Sequence, residues 1–128
     1  MTIPLTMLLW SSILMFVLLL IPAAIAIHRN GAMAQAGARD GLPEPSEFMK
    51  RANRLNANMR ENMILFTALV AVTGFSETSS ANIDLGATIF FYARLVHAVV
   101  YLAGWPMVRS IIWTVSVVGM GMMAAALL

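Results

Sequence analysis

Apolar residues in this 128-residue chain fall into long unbroken runs, with polar groups confined to short gaps and a few interior positions. Residues 3–27, IPLTMLLWSSILMFVLLLIPAAIAI, carry no charge. As a helix rising about 1.5 Å per residue, such a run crosses roughly 30 Å of hydrocarbon. Ala24-Ile25-Ala26 resembles a signal-peptide cleavage site, but the positive charges follow the run instead of preceding it, so the run reads as a first membrane span. A polar connection then extends from His28 to about Ser46, where Gly31, Gly37, Gly41, Pro43 and Pro45 argue against a continuous helix. Ser46 follows two prolines and is a natural N-cap.

The second long helix is predicted from about Glu47 to Phe75. Its charge-free stretch, residues 62–76 between Glu61 and Glu77, is too short to span alone. The helix therefore brings polar residues into the membrane region, or stands partly above it. Residues 76–84, SETSSANID, read as a polar loop. A third span follows at 85–103, interrupted by Arg94 and His97, and Gly104-Trp105-Pro106 makes a turn. The last apolar run, 108–128, has Arg109 near its start and small residues Gly119, Gly121 and Ala124 to Ala126 that permit close helix packing. The expected architecture is an all-α membrane protein, a four-transmembrane-helix bundle forming one domain over residues 1–128. Its spans lie at about 3–27, 55–75, 85–103 and 108–128, with a cytoplasmic loop at 28–46, and no internal repeat is present.

Composition sharpens this picture. At 60% hydrophobic and 11% charged residues, with mean hydropathy +0.82, the chain lies outside the range of soluble globular or disordered proteins. The absence of cysteine removes disulfides, thiolate metal sites and a cysteine nucleophile. Net charge is only +2, and no nucleic-acid site is read from it. Placement says more: six of the eight cations, Arg29, Arg39, Lys50, Arg51, Arg54 and Arg60, lie between residues 28 and 61. The positive-inside rule puts that side in the cytoplasm and both termini outside. Arg29, the 50–61 segment and Arg109 are thereby expected at one membrane face.

At about 100° per residue, Arg51, Arg54, Asn58 and Glu61 fall within one stripe about 80° wide, whereas Asn53 and Arg60 fall on the other side of the helix as interface or solvent residues. A salt-bridge seam between helices is the bland reading of that stripe. Arg94, His97 and Tyr101 share a face of the third helix through their i, i+3, i+7 spacing. His97 or Tyr101 alone is ordinary, and two histidines make no convincing metal site, so no metal is expected. An unpaired arginine inside a span costs about 2.5–3.5 kcal/mol on insertion scales, so Arg94 needs a partner. Glu61 is the only acid in a comparable apolar stretch, which predicts a buried Arg94–Glu61 pair. On the fourth helix Arg109 stands beside Ser110, with Trp113 one turn on; taken alone, these are a snorkelling arginine and an aromatic belt residue. Together, converging arginines with a tyrosine, amides and a carboxylate suit a small anionic ligand, and a zwitterionic peptide with two carboxylates fits well.

The segments Arg51-Ala-Asn-Arg54-Leu-Asn-Ala-Asn58-Met-Arg-Glu61-Asn62, Arg94-Leu-Val-His97-Ala-Val-Val-Tyr101 and Pro106-Met-Val-Arg109-Ser110 resemble the membrane-associated proteins in eicosanoid and glutathione metabolism, the MAPEG family. The resemblance implies a homotrimer with glutathione, as cosubstrate, bound between neighbouring subunits near the cytosolic face. It assigns glutathione contacts to Arg54, Asn58 and Glu61, with Arg51 beside them, and to Arg94, His97 and Tyr101. Arg109 would hold the thiolate with Ser110 as its neighbour, Trp113 would stand in a tyrosine's place, and Arg29 would close the site from the first helix. Asn56 stands where relatives often have His or Gln, Ala57 and Trp113 depart from the prostaglandin-synthase branch, and the second substrate is left open. The implied activity is that of a detoxifying glutathione S-transferase or peroxidase acting on a lipophilic electrophile or lipid hydroperoxide from the membrane lipid. The simple N-terminus looks like that of a bacterial inner-membrane member with periplasmic termini. The alternatives are a non-catalytic scaffold of the same fold and a small drug exporter. An exporter would want a carboxylate in the first span, which has none.

Overall fold

Proline and glycine set most of the helix ends. In the computed structural model, which describes residues 1–128, α1 spans Ile3–Asn30, with Pro4 in its first turn. It continues past the expected boundary at His28, because His28 and Arg29 in its last turn complement the negative end of the helix dipole. Gly31, at φ 87°, then ends it. The connection that follows is not wholly loop, since Ala32–Ala36 forms the short helix α2. Helix α3 is one unbroken element over Glu47–Phe75, and the Ser46 side chain caps it by accepting the Met49 N–H at 3.2 Å.

Helix α4 covers Ala81–Ala103. It begins four residues before the charge-free run because Ser80 caps it, accepting the Ile83 N–H at 3.2 Å, and Asp84 in the first turn suits the positive end of the dipole. Gly104 terminates α4 in the left-handed region at φ 79°, and Pro106 opens α5, Pro106–Leu127, where its missing N–H costs nothing.

The core lies where one face of α3 meets α4, with α1 and α5 closing it. Leu55, Met59, Met63, Phe66 and Val70, at spacings of three and four, are buried along α3. They meet Ile83, Ala87 and Phe90 of α4, and the Phe66 and Phe90 rings stack with centroids 4.0 Å apart. Helices α4 and α5 touch backbone to backbone at Gly86 and Gly119. A Cβ on Gly86 would lie 2.5 Å from the Gly119 carbonyl oxygen, and one on Gly119 would lie 2.7 Å from that of Gly86. Three helices, α1, α4 and α5, are long and apolar enough to cross a membrane. The chain is an integral membrane protein, and α3 is the long helix whose N-terminal half carries the polar groups.

Candidate functional site

The α4 segment between Phe90 and Tyr101 places a guanidinium in the middle of the bundle. Arg94 is fully buried at 0% exposure, and its Nη2 donates to Asn58 Oδ1 of α3 at 2.7 Å. Asn58 is held in turn by Asn62, one helical turn on, whose Nδ2 donates to the Asn58 carbonyl at 2.8 Å. Arg94 Nε and Nη1 are buried without a partner.

The sequence expectation of an Arg94–Glu61 pair is not met within the chain, whose only ion pair is the exposed Lys50–Glu47 at 3.4 Å. Glu61 lies about 60° around α3 from Asn58 and is exposed. A neutral amide gives the guanidinium an acceptor without taking a second charge out of water.

His97 follows one turn after Arg94, at 2% exposure, with Nδ1 unpartnered. Its ring is 5.5 Å from that of Tyr101. Arg109, from the first turn of α5, sets its guanidinium 5.0 Å from the Tyr101 ring centroid, a cation–π contact that fixes both groups. The turn at Gly104 makes this meeting possible by folding α5 back along α4 within a few residues of Tyr101. Ser110 donates its hydroxyl to the Pro106 carbonyl at 3.2 Å, and Thr114 donates to that of Ser110 at 2.9 Å, so the lone pairs of both hydroxyls stay free to accept. An open cavity of about 390 Å³ is bounded by Asn58, His97, Tyr101, Arg109, Ser110, Trp113 and Thr114. Its lining contains a cation and no carboxylate.

The sequence model of the MAPEG family matches residues 7–128, nearly the whole chain. This chain belongs to the MAPEG family. No curated protein and no solved structure gives a significant match. Membership places this MAPEG protein within the broad class of membrane proteins of glutathione or eicosanoid metabolism, a family that in general uses glutathione and lipophilic substrates.

Of the residues singled out in this MAPEG sequence, the fold gathers Asn58, His97, Tyr101, Arg109, Ser110 and Trp113 around one cavity, with Arg94 behind them. Four others stand apart within the chain. Arg54 and Glu61 are exposed on α3, one turn to either side of Asn58. Arg51 has its guanidinium against the Gly104 turn and 5.8 Å from the Phe48 ring. Arg29 lines a separate cavity that shares no residue with the first. Asn62 and Thr114 were not singled out from the sequence. Both form i, i+4 pairs with residues that were, Asn58 and Ser110, and that spacing is the signal that could have found them.

Proposed function

We propose that this MAPEG protein is a glutathione-dependent transferase with peroxidase capacity, in which Arg109 stabilises the glutathione thiolate for attack on a lipophilic electrophile or lipid hydroperoxide. The observation that carries this reading is the convergence of Arg109, Tyr101 and His97 on one cavity without an acid, with the Asn58-bound Arg94 behind them. An anionic peptide ligand meets donors there, and a charge-assisted hydrogen bond is roughly twice as strong as a neutral one.

In the transferase reaction the thiolate forms an S–C bond as the leaving group departs with its electron pair. With a hydroperoxide, the thiolate attacks the terminal oxygen, the O–O bond breaks and the alkoxide takes up a proton. A second glutathione then attacks the sulfenic sulfur, breaking its S–O bond to release water and form the disulfide. The lipophilic partner arrives laterally from the bilayer, so the thiol needs to be ionised only on the polar side of the site.

The same reading takes α1, α3, α4 and α5 as four spans of a homotrimer in a bacterial inner membrane, with the α1–α3 connection cytoplasmic and the termini periplasmic. Arg54, Glu61 and Arg51 then meet ligand at the junction between subunits, and Arg29 closes the site of a neighbour. The exposure of Arg54 and Glu61 in the single chain, and the distance of Arg29 from its own Arg109 cavity, support this arrangement.

The test is an ultraviolet difference spectrum at the thiolate band, recorded on detergent-purified protein titrated with glutathione at neutral pH. A saturable band that disappears in Arg109→Ala is expected. No band and no calorimetric binding would favour a non-catalytic scaffold of the same fold, and full turnover in Arg109→Ala would remove the thiolate role.

A further inference from the structure

A second cavity is larger than the one just described. It has a volume of about 720 Å³, within the range of ligand sites, and lies on the opposite side of α3, under the α1–α3 connection. Its position follows from helical phase. Asn53, Asn56 and Arg60 recur at spacings of three and four, and so share a face of α3 that points about 170° away from Asn58.

That face looks onto the end of α1 and the loop that leaves it. Three arginines border the cavity, Arg29 from the end of α1, Arg39 from the connection and Arg60 from α3, and no acidic residue does. Asn53 and Asn56 add amides on the same side. Arg39 is held there although it is a non-glycine residue in the left-handed region, at φ 65°, and its Nε donates to the Gln35 carbonyl at 2.7 Å. The remaining wall is apolar and belongs to α1, where Leu19, Pro22 and Ala26 run from the cationic end back toward the middle of the helix. One end of the cavity thus offers uncompensated positive charge and hydrogen-bond donors, and the other a greasy wall along a membrane-spanning helix.

We infer that this cavity binds the anionic head of an acyl-chain amphiphile, with its chain lying along α1. Charge alone would attract anionic lipid to any basic membrane face, but here the cations come from three separate elements and close over a defined volume, which is how a basic pocket between membrane helices selects a head group. The proposed glutathione site of a neighbouring subunit uses Arg29 as well, but this inference is tested through Arg39 and Arg60, which that reading does not use, and the two cavities of one chain share no lining residue.

Two sources carry this chemistry, a phospholipid of the leaflet and a free fatty acid, and the test separates them. Native mass spectrometry of the detergent-purified protein would be run against phosphatidylglycerol, phosphatidylcholine and oleate in turn, for the unaltered protein, Arg39→Gln/Arg60→Gln and Arg109→Ala. Arg29 is left unchanged because the proposed function uses it. The unaltered protein is expected to retain phosphatidylglycerol at least about tenfold more tightly than phosphatidylcholine, with the preference lost in Arg39→Gln/Arg60→Gln and kept in Arg109→Ala. Selective retention of oleate with the same dependence on Arg39 and Arg60 would make the source a fatty acid. Retention that ignores head-group charge, or that survives Arg39→Gln/Arg60→Gln, would overturn the inference. The helical circular dichroism of the double variant, and its glutathione difference spectrum, check that any loss is not misfolding.

Discussion

Arg94 is the largest fully buried side chain in the protein. A guanidinium at 0% exposure with one strong hydrogen bond, to Asn58, has little to replace it if that bond is lost. Hydrogen bonds to charged groups contribute about 1.5–3 kcal/mol, so Asn58→Leu should destabilise the protein by about that much. Asn58→Asp, which keeps an acceptor in place, should lose less; equal losses in thermal unfolding of the two variants would show that the Arg94 contact is not what matters. Arg109 differs in kind, since it sits half-exposed at a cavity and packs against Tyr101. Removing a donor aimed at developing or stabilised negative charge costs about 10²–10³ in kcat, so Arg109→Ala should lower kcat by that order while the glutathione KM moves only a few-fold. Arg109→Lys should fall between, because an ammonium keeps the charge but loses the fork; a KM effect larger than the kcat effect would make Arg109 a binding residue only. That Arg94 needs a partner is readable from its place in an apolar run. The partner's identity is not, because Asn58 and Glu61 differ by only about 60° of helical phase and only the packing of α3 on α4 decides between them.

At the level of elements, the bounds of α3, the Ser46 cap and the Gly104–Pro106 turn follow from local chemistry that any reader of the sequence can apply. The extension of α1 to Asn30 and the Ser80 cap were missed because apolar runs mark membrane depth, whereas helices continue until a cap or a glycine stops them. The contact between α4 and α5 gives a sharper case. Gly119 and Gly121 read alike in sequence as small residues for close packing, and nothing local distinguishes them. In the fold, Gly119 meets Gly86 and the Phe90 backbone, whereas a Cβ on Gly121 meets nothing within 4 Å. Gly119→Ala should therefore force α4 and α5 apart and destabilise by about 1–3 kcal/mol. Gly121→Ala should be neutral, or stabilising by up to about 1 kcal/mol through helix propensity. Unfolding of both variants in the same detergent checks this, and a Gly121→Ala loss as large as that of Gly119→Ala would move the packing face.

For the whole molecule, the distribution of charge in the sequence locates the polar face of the protein, but no packing motif in it counts subunits. The fold supplies the relevant constraint: Arg29 and Arg109 line different cavities of the same chain, so a site that uses both must take them from different copies. This can be tested by complementation. Homomers of Arg29→Ala and of Arg109→Ala should each be close to inactive. In oligomers assembled from equal amounts of the two, a site is whole when the subunit giving Arg109 carries the Arg29→Ala change and the neighbour giving Arg29 carries Arg109→Ala. Random assembly in a closed head-to-tail ring makes that arrangement at about a quarter of the sites, whatever the number of subunits. Isolation of mixed oligomers through two different affinity tags removes the homomers, and every mixed ring of three has one such junction, so a trimer should recover about a third of the unaltered turnover per site. If each site drew both arginines from one chain, mixing would recover nothing, because every chain in the mixture lacks one of them. Recovery of activity therefore reads the subunit origin of Arg29 directly, and does so even if each variant alone retains a trace of turnover, since that background is measured in the two homomers.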